Sequence, residues 1–296
     1  MVRDAFERLH PVSIALYFLI LLITGAFTMH PCFIVLSFIG ALCFAVRLSG
    51  REIFRHWKLL LIPALIAALI NVLFNHRGTV ILAYFPTGNA LTLEALIYGA
   101  ASGVMVSAVI VWCFCFGKVF SSDKLICLTG KAFPSLTLVL SMTLRFLPLF
   151  ITRFREIADS RRQLGKGIRQ GSLKQRLKNL ASVFSILISR SLESSVETAD
   201  SMKSRGYGLP HRTAYDLFRF GVKDAAVIAL TLLFGGISLA GLFVGFSEFR
   251  FYPKIYISEF GIGAAAEIAA FGLLCFLPTF YGIWEDLKWR SSDLKN

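Results

Sequence analysis

"LHPVSIALYFLILLITGAFTMHPCFIVLSFIGALCFAV", from Leu9 to Val46, contains no aspartate, glutamate, lysine or arginine. An uncharged apolar run of this length is written for the hydrocarbon core of a bilayer. His30-Pro31 divides it, because a proline inside a helix removes a backbone hydrogen bond and clashes with the preceding turn. Two spans are therefore expected, at 12–29 and 32–46. The second would have about 15 residues, or ~22 Å of helix. That is short of the ~30 Å core, so it is expected to tilt against a partner or to stop before crossing.

Working outward, apolar runs recur at 59–75, 93–117, 225–247 and 260–284, which makes six spans in all. Gly99 and Gly103 sit at a spacing that lets a second helix approach closely. The chain has 296 residues, of which 56% are hydrophobic and 17% charged. Its mean hydropathy is +0.67, too apolar for a soluble domain. The net charge of +13 would suggest nucleic acid in a soluble protein. Here its placement gives another reason. Of 31 lysines and arginines, 27 fall at Arg3 and Arg8, in the loop 47–58, in the segment 118–221 and in the tail. Arg77, Arg250 and Lys254 fall on the other side, and Lys223 at a boundary. The positive-inside rule then places both termini in the cytoplasm, and no nucleic-acid partner is expected.

The fold expected is an all-α polytopic membrane protein, with about six transmembrane helices and a cytoplasmic module of two or three long amphipathic helices. Three regions follow: four spans in 1–117, the cytoplasmic helices in 118–221, and two spans with a polar tail in 222–296. In the middle region, "FPSLTLVLSMTLRFLPLFITRFREIADSRRQ" (133–163) reads as one helix with an apolar front half, kinked at Pro148. "LGKGIRQGS" (164–172) is a turn with three glycines. A second helix over 173–205 carries Leu177, Leu180, Phe184, Leu187 and Ile188 at helical spacing. Ser191, Ser195 and Ala199 continue as a row of small residues, over which another helix can cross. "ADSRRQLG" (158–165) and "ADSMKSRG" (199–206) echo each other. Each ends a helix on a glycine suited to a left-handed cap.

Several classes are excluded by what is missing. No G-x-x-x-x-G-K-[ST] loop is present; "TGKAF" (129–133) and "GKG" (165–167) lack the pattern. The chain is therefore not expected to hydrolyse ATP or to be an enzyme. The five histidines are scattered and the six cysteines form no Cys-x-x-Cys pair, so neither a metal, a cofactor nor a disulfide framework is expected. No signal peptide is expected either, since the first apolar run leads straight into the second. Glu94 is placed at a span edge. Phe218, Arg219 and Phe220 read as interfacial anchoring. Glu267 lies within the last span, and an intramembrane carboxylate is a candidate polar site by default.

"SMTLRFLP" (141–148), "ETADSMKSRGYG" (197–208) and the early His30-Pro31 together resemble the transmembrane T component (EcfT/CbiQ-like) of an energy-coupling factor (ECF) transporter, an ABC-type importer. The resemblance covers most of the chain. It implies a prokaryotic plasma-membrane protein that couples two cytoplasmic ABC-type ATPase subunits to a membrane-embedded substrate-binding S component, for uptake of vitamins or transition-metal ions. It further implies that two Ala-Arg-Gly-like motifs at helix ends dock on the ATPases. By position the second motif is Ser204-Arg205-Gly206. The first is Gln163-Leu164-Gly165, with Leu164 where arginine is expected, and charge there would come from Arg161, Arg162 or Lys166. The alternative is a self-sufficient secondary transporter or channel, motivated by Glu267. Against it, only one intramembrane carboxylate is readable and the spans show no repeat.

Overall fold

A computed structural model describes residues 5–50, 55, 57–75, 78–84, 90–209, 218–245, 247, 249–252, 256–257 and 261–293. Arg3, residues 51–54 and 56 of the loop 47–58, Arg77, Lys254 and the last residues of the tail lie outside these. The chain divides into two compact units, one made of residues 1–125 and 218–296, the other of 126–217.

The first unit gathers a short 3-10 turn (Ala5–Arg8) and helices α1 (Pro11–Phe27), α2 (Pro31–Ser49), α3 (Trp57–Phe74) and α4 (Leu93–Val119). Helices α8 (Val222–Val244) and α9 (Ile262–Asp293) return from the far end of the sequence to complete it. Proline opens α1 and α2, where its missing N–H is no loss. His10 and His30 cap them, each ring Nδ1 accepting from the backbone N–H two residues on, at 3.3 and 3.2 Å. The core is aromatic: Phe6, Tyr17, Phe18, Phe33, Phe44, Trp112 and Phe271 are all fully buried. Buried polar tips find partners, as they must in a medium without water. The Trp112 indole N–H donates to Ser37 Oγ at 3.1 Å, and the Tyr17 hydroxyl to the Leu274 carbonyl at 3.1 Å.

Close backbone approach sets the helix order. A Cβ placed on Gly99 or Gly103 would lie 2.9 and 2.8 Å from the carbonyl oxygens of Ala68 and Ala64 on α3. The glycine pair expected to admit a helix does so. Asn71 of α3 adds a 2.9 Å hydrogen bond to Ser102 Oγ of α4. On the other flank Gly40 of α2 lies against Cys275 of α9.

One end of this unit collects the cations and their partners. Arg47 pairs with Asp286 at 2.5 Å and Lys223 with Glu285 at 2.6 Å. Lys124 Nζ donates to the carbonyls of Glu7 and Val119, both at 2.6 Å. Asp224 accepts the His10 N–H at 2.6 Å. The starts of α1 and α8 and the ends of α2, α4 and α9 thus share one end, as alternating spans require. The opposite end carries two small hairpins absent from the expected fold. They are β1 (Ile81–Tyr84) with β2 (Ala90–Thr92), and β3 (Phe249–Arg250) with β4 (Tyr256–Ile257), both antiparallel. Glu94 holds the first in place, its Oε1 accepting from the Thr79 N–H and hydroxyl and the Val80 N–H at 2.8 to 3.2 Å.

One expectation is corrected. The second span has 19 residues rather than about 15, because Arg47 is neutralised by Asp286 and the helix continues past it. Pro148 lies inside its helix. In the second unit α6 (Pro134–Gln163) is unbroken, after a short α5 (Ser122–Ala132) and before α7 (Leu173–Ser204). By length and hydropathy α2, α4, α6, α8 and α9 suffice to cross a membrane, while α1 and the stretch Leu61–Phe74 of α3 are shorter apolar helices. The apolar part of α6 is unburied within the chain.

Candidate functional site

The second unit places its two candidate motifs at equivalent positions on two helix ends. At the end of α6, Leu164 is the C-cap, with φ −82° and ψ 11°. Gly165 follows in the left-handed region at φ 71°. Its N–H bonds the Arg162 carbonyl at 3.0 Å, and the Lys166 N–H bonds the Arg161 carbonyl at 2.9 Å. At the end of α7, Arg205 is the C-cap, with φ −85° and ψ 11°. Gly206 follows at φ 83°. Its N–H bonds the Lys203 carbonyl at 3.1 Å, and the Tyr207 N–H bonds the Met202 carbonyl at 3.0 Å. Both are Schellman motifs, which satisfy two of the carbonyls that a helix end leaves open. A left-handed residue other than glycine costs roughly 1–2 kcal/mol, which is why each motif stops on glycine.

The correspondence runs further than the echo ending at Gly165 and Gly206. Leu164-Gly165-Lys166-Gly167-Ile168 matches Arg205-Gly206-Tyr207-Gly208-Leu209 in its Gly-x-Gly-apolar frame. Within that frame the charged and apolar residues are exchanged. The first tip has leucine at the cap and lysine two residues on. The second has arginine at the cap and tyrosine two residues on. Leu164 is 73% exposed. Gln163, Arg162, Lys166, Ser204 and Arg205 are exposed as well. Arg161 is half-buried, with its Nε shielded from solvent, so it is turned in rather than projecting. The charge left free to project near Leu164 is on Arg162 and Lys166.

The tips stand at opposite ends of α7. Asn179, near the start of α7, donates to the Gly167 carbonyl at 2.9 Å and fastens the first tip. Phe154 meets Phe184, and Arg153 reaches Ser194 Oγ at 3.4 Å. Thr198 closes a pocket with Arg145, Phe146 and Pro148 of α6. The two helices therefore run past each other in opposite senses. α7 has 32 residues, which at ~1.5 Å per residue puts its ends on the order of 45 Å apart.

The row of small residues behaves differently from its reading as a helix crossing. Ser191 is half-buried, but Ser195 and Ala199 are exposed. The contacts to α6 fall one position aside, on Ser194 and Thr198. Ser191 and Ser195 return their hydroxyls to carbonyls one turn back, at 2.6 and 2.7 Å. Leu177, Phe184 and Ile188 are also exposed, while Asn179 and Val183 are the buried residues of α7. Of this face, Leu177, Ile188, Ser195 and Ala199 are left open, while Phe184 leans on Phe154 of α6.

Glu267 of α9 sits apart, in the first unit. It is 1% exposed, and its Oε2 accepts from Ser247 Oγ at 2.9 Å. Its Oε1 has no partner among the described residues. A Cβ on Gly241 of α8 would lie 2.5 Å from its carboxyl carbon, so that glycine makes room for the side chain. Among the described residues no three His, Cys, Asp or Glu side chains gather as metal ligands would.

A family model described as CbiQ, cobalt transport protein, matches residues 5–215 of this chain. Over 111 residues the chain is 37% identical to the energy-coupling factor transporter transmembrane protein EcfT of Bacillus selenitireducens, a stretch covering 37% of this chain and 41% of that one. With the protein of the same name from Lactobacillus helveticus it shares 31% over 105 residues, covering 35% and 38%. With that of Streptococcus equi it shares 30% over 99 residues, covering 33% and 37%. The matches thus span about two fifths of the curated relatives.

Proposed function

The chain belongs to the CbiQ family of cobalt transport proteins, and from that premise we propose that it is the non-catalytic coupling subunit of an ECF-type importer. The observation that carries this reading is the pair of matching helix tips at opposite ends of α7. Two ATPase subunits would each receive one tip. When they close on ATP, α6 and α7 would tilt. The exposed faces of these helices would pass that motion to a membrane-embedded substrate-binding subunit. The cargo class is vitamins or transition-metal ions, chosen by that other subunit.

Arg205 suits a docking role. Its guanidinium is a rigid fork of donors that stays charged, and it would meet a carboxylate or a set of carbonyls in a groove. At a helix C-terminus it also opposes the negative end of the dipole. The first tip would seat Leu164 in an apolar recess, with Lys166 supplying the charge. The two receiving grooves would then differ in what they present. The cation-rich end of the first unit would face the cytoplasm, with both termini there, in the plasma membrane of a prokaryote.

The test is reconstitution in liposomes with two ATPase subunits and a substrate-binding subunit. Uptake should need ATP and every component. Uptake by the chain alone without ATP would overturn the reading in favour of a secondary transporter, for which the buried Glu267 is the motive.

A further inference from the structure

Between α8 and α9 lies an apolar groove of about 520 Å³. Ala226, Leu230 and Phe234 line it from α8, and Leu273, Leu277 and Trp284 from α9. It opens at the cation-rich end into a second, more polar recess of about 980 Å³. The two are continuous, because Val222, Lys223 and Tyr281 line both. From Val222 to Phe234 the groove runs about 18 Å at ~1.5 Å of rise per residue. One leaflet of hydrocarbon is ~15 Å deep, half of the ~30 Å core. The groove is therefore as long as one acyl chain reaches.

The recess at its mouth is lined by three acids and three cations, of which one acid and one cation pair with each other. Glu285 is paired with Lys223, and Asp286 with Arg47, which lies outside the recess. Asp224 accepts the N–H groups of His10 and Gly221. Arg8 and Arg290 remain, both exposed, and among the described residues neither has an acid partner. Trp284 and Trp289 stand at the same level, and Lys288 lies 5.5 Å over the Trp284 ring. Tryptophan and lysine at this depth mark a membrane–water interface. Two unmatched guanidiniums above an apolar slot present the complement of a phosphate carrying a hydrocarbon tail.

We propose that this groove and its mouth form a site for one anionic phospholipid, with an acyl chain between α8 and α9 and the headgroup phosphate between Arg8 and Arg290. A lipid held there would fill the slot that these two helices leave unpacked. It would also tie the 3-10 turn at the N-terminus to the end of α9.

The experiment uses the full chain in mild detergent, with native mass spectrometry after adding phosphatidylglycerol, phosphatidylcholine or diacylglycerol of the same acyl chains. One phosphatidylglycerol should be retained in preference to diacylglycerol, and glycerol phosphate should not displace it. The double variant Arg8→Gln/Arg290→Gln should lose retention by about tenfold or more. Leu230→Trp, which fills the slot, should lower retention of all three lipids. Thermal unfolding establishes that both variants fold, and a variant that fails this check is replaced by the single changes Arg290→Gln and Ala226→Leu. Equal retention of phosphatidylglycerol and diacylglycerol would overturn the proposal, as would a double variant that binds as the parent does. Displacement by glycerol phosphate would overturn it in favour of a soluble anion. Unchanged lipid retention in Leu230→Trp would overturn the place of the acyl chain between α8 and α9.

Discussion

The two helix tips share one backbone and differ in what they carry on it. Each ends in the same pair of capping hydrogen bonds and the same left-handed glycine. Yet one offers Leu164 and Lys166 where the other offers Arg205 and Tyr207. The difference separates two requirements. Backbone geometry decides where a tip points. The side chain at the cap decides what the tip can hold. A sequence can keep the first while exchanging the second.

The largest expected effect breaks the comparison at the second tip. Arg205→Glu places a like charge against the acceptor in the groove. It should weaken ATPase association by about 2–5 kcal/mol, read as a dissociation constant on the purified complex. Unchanged affinity and unchanged uptake would remove Arg205 from the docking role. Next comes Leu164→Ala at the first tip. Losing the apolar contact should cost about 1.5 kcal/mol, roughly tenfold in affinity. Leu164→Arg sharpens the comparison: if the grooves differ as proposed, making the tips alike weakens binding too, whereas tighter binding would mean equivalent grooves.

Effects of similar size address the shared backbone. Gly206→Ala and Gly165→Ala each force a side chain into the left-handed region, at about 1–2 kcal/mol. The second tip should suffer more, because an added Cβ at Gly206 would lie 3.0 Å from Leu209 Cδ1, while Gly165 has open space around it. Hydrogen exchange of the amides at 165–166 and 206–207 reads the fraying of each cap. Equal fraying in both variants would show the Leu209 contact to be immaterial. Last, Lys166→Ala should cost less than about 1 kcal/mol. It should also flatten the salt dependence of association, which titration with sodium chloride measures.

Much of the membrane body was legible in the residues. An uncharged run such as Leu9–Val46 has few ways to be satisfied other than as helices in lipid. Gly99 and Gly103 announced a close crossing, and Ala64 and Ala68 turned out to be opposite them. The end of α2 was misjudged because Arg47 looks like a stop until Asp286, far away in sequence, is seen to neutralise it. Ser191, Ser195 and Ala199 were read by spacing alone. Spacing gives a face of a helix but not what faces it, and the contacts with α6 fall on Ser194 and Thr198. The Gly-x-Gly-apolar frame beyond each tip was a local signal that a longer reading of the echo would have found.

The sequence by itself determined the elements: how many apolar helices, which end of them is positive, and where glycine stops α6 and α7. Those are local properties of composition and backbone, written within a few residues. Only the tertiary structure decided the partnerships. Folding brings α8 and α9 back onto α1 and α2, gives Glu267 its berth beside Gly241, and sets the tips at opposite ends of α7. Such facts depend on residues distant in the chain meeting in space, and no local pattern contains them.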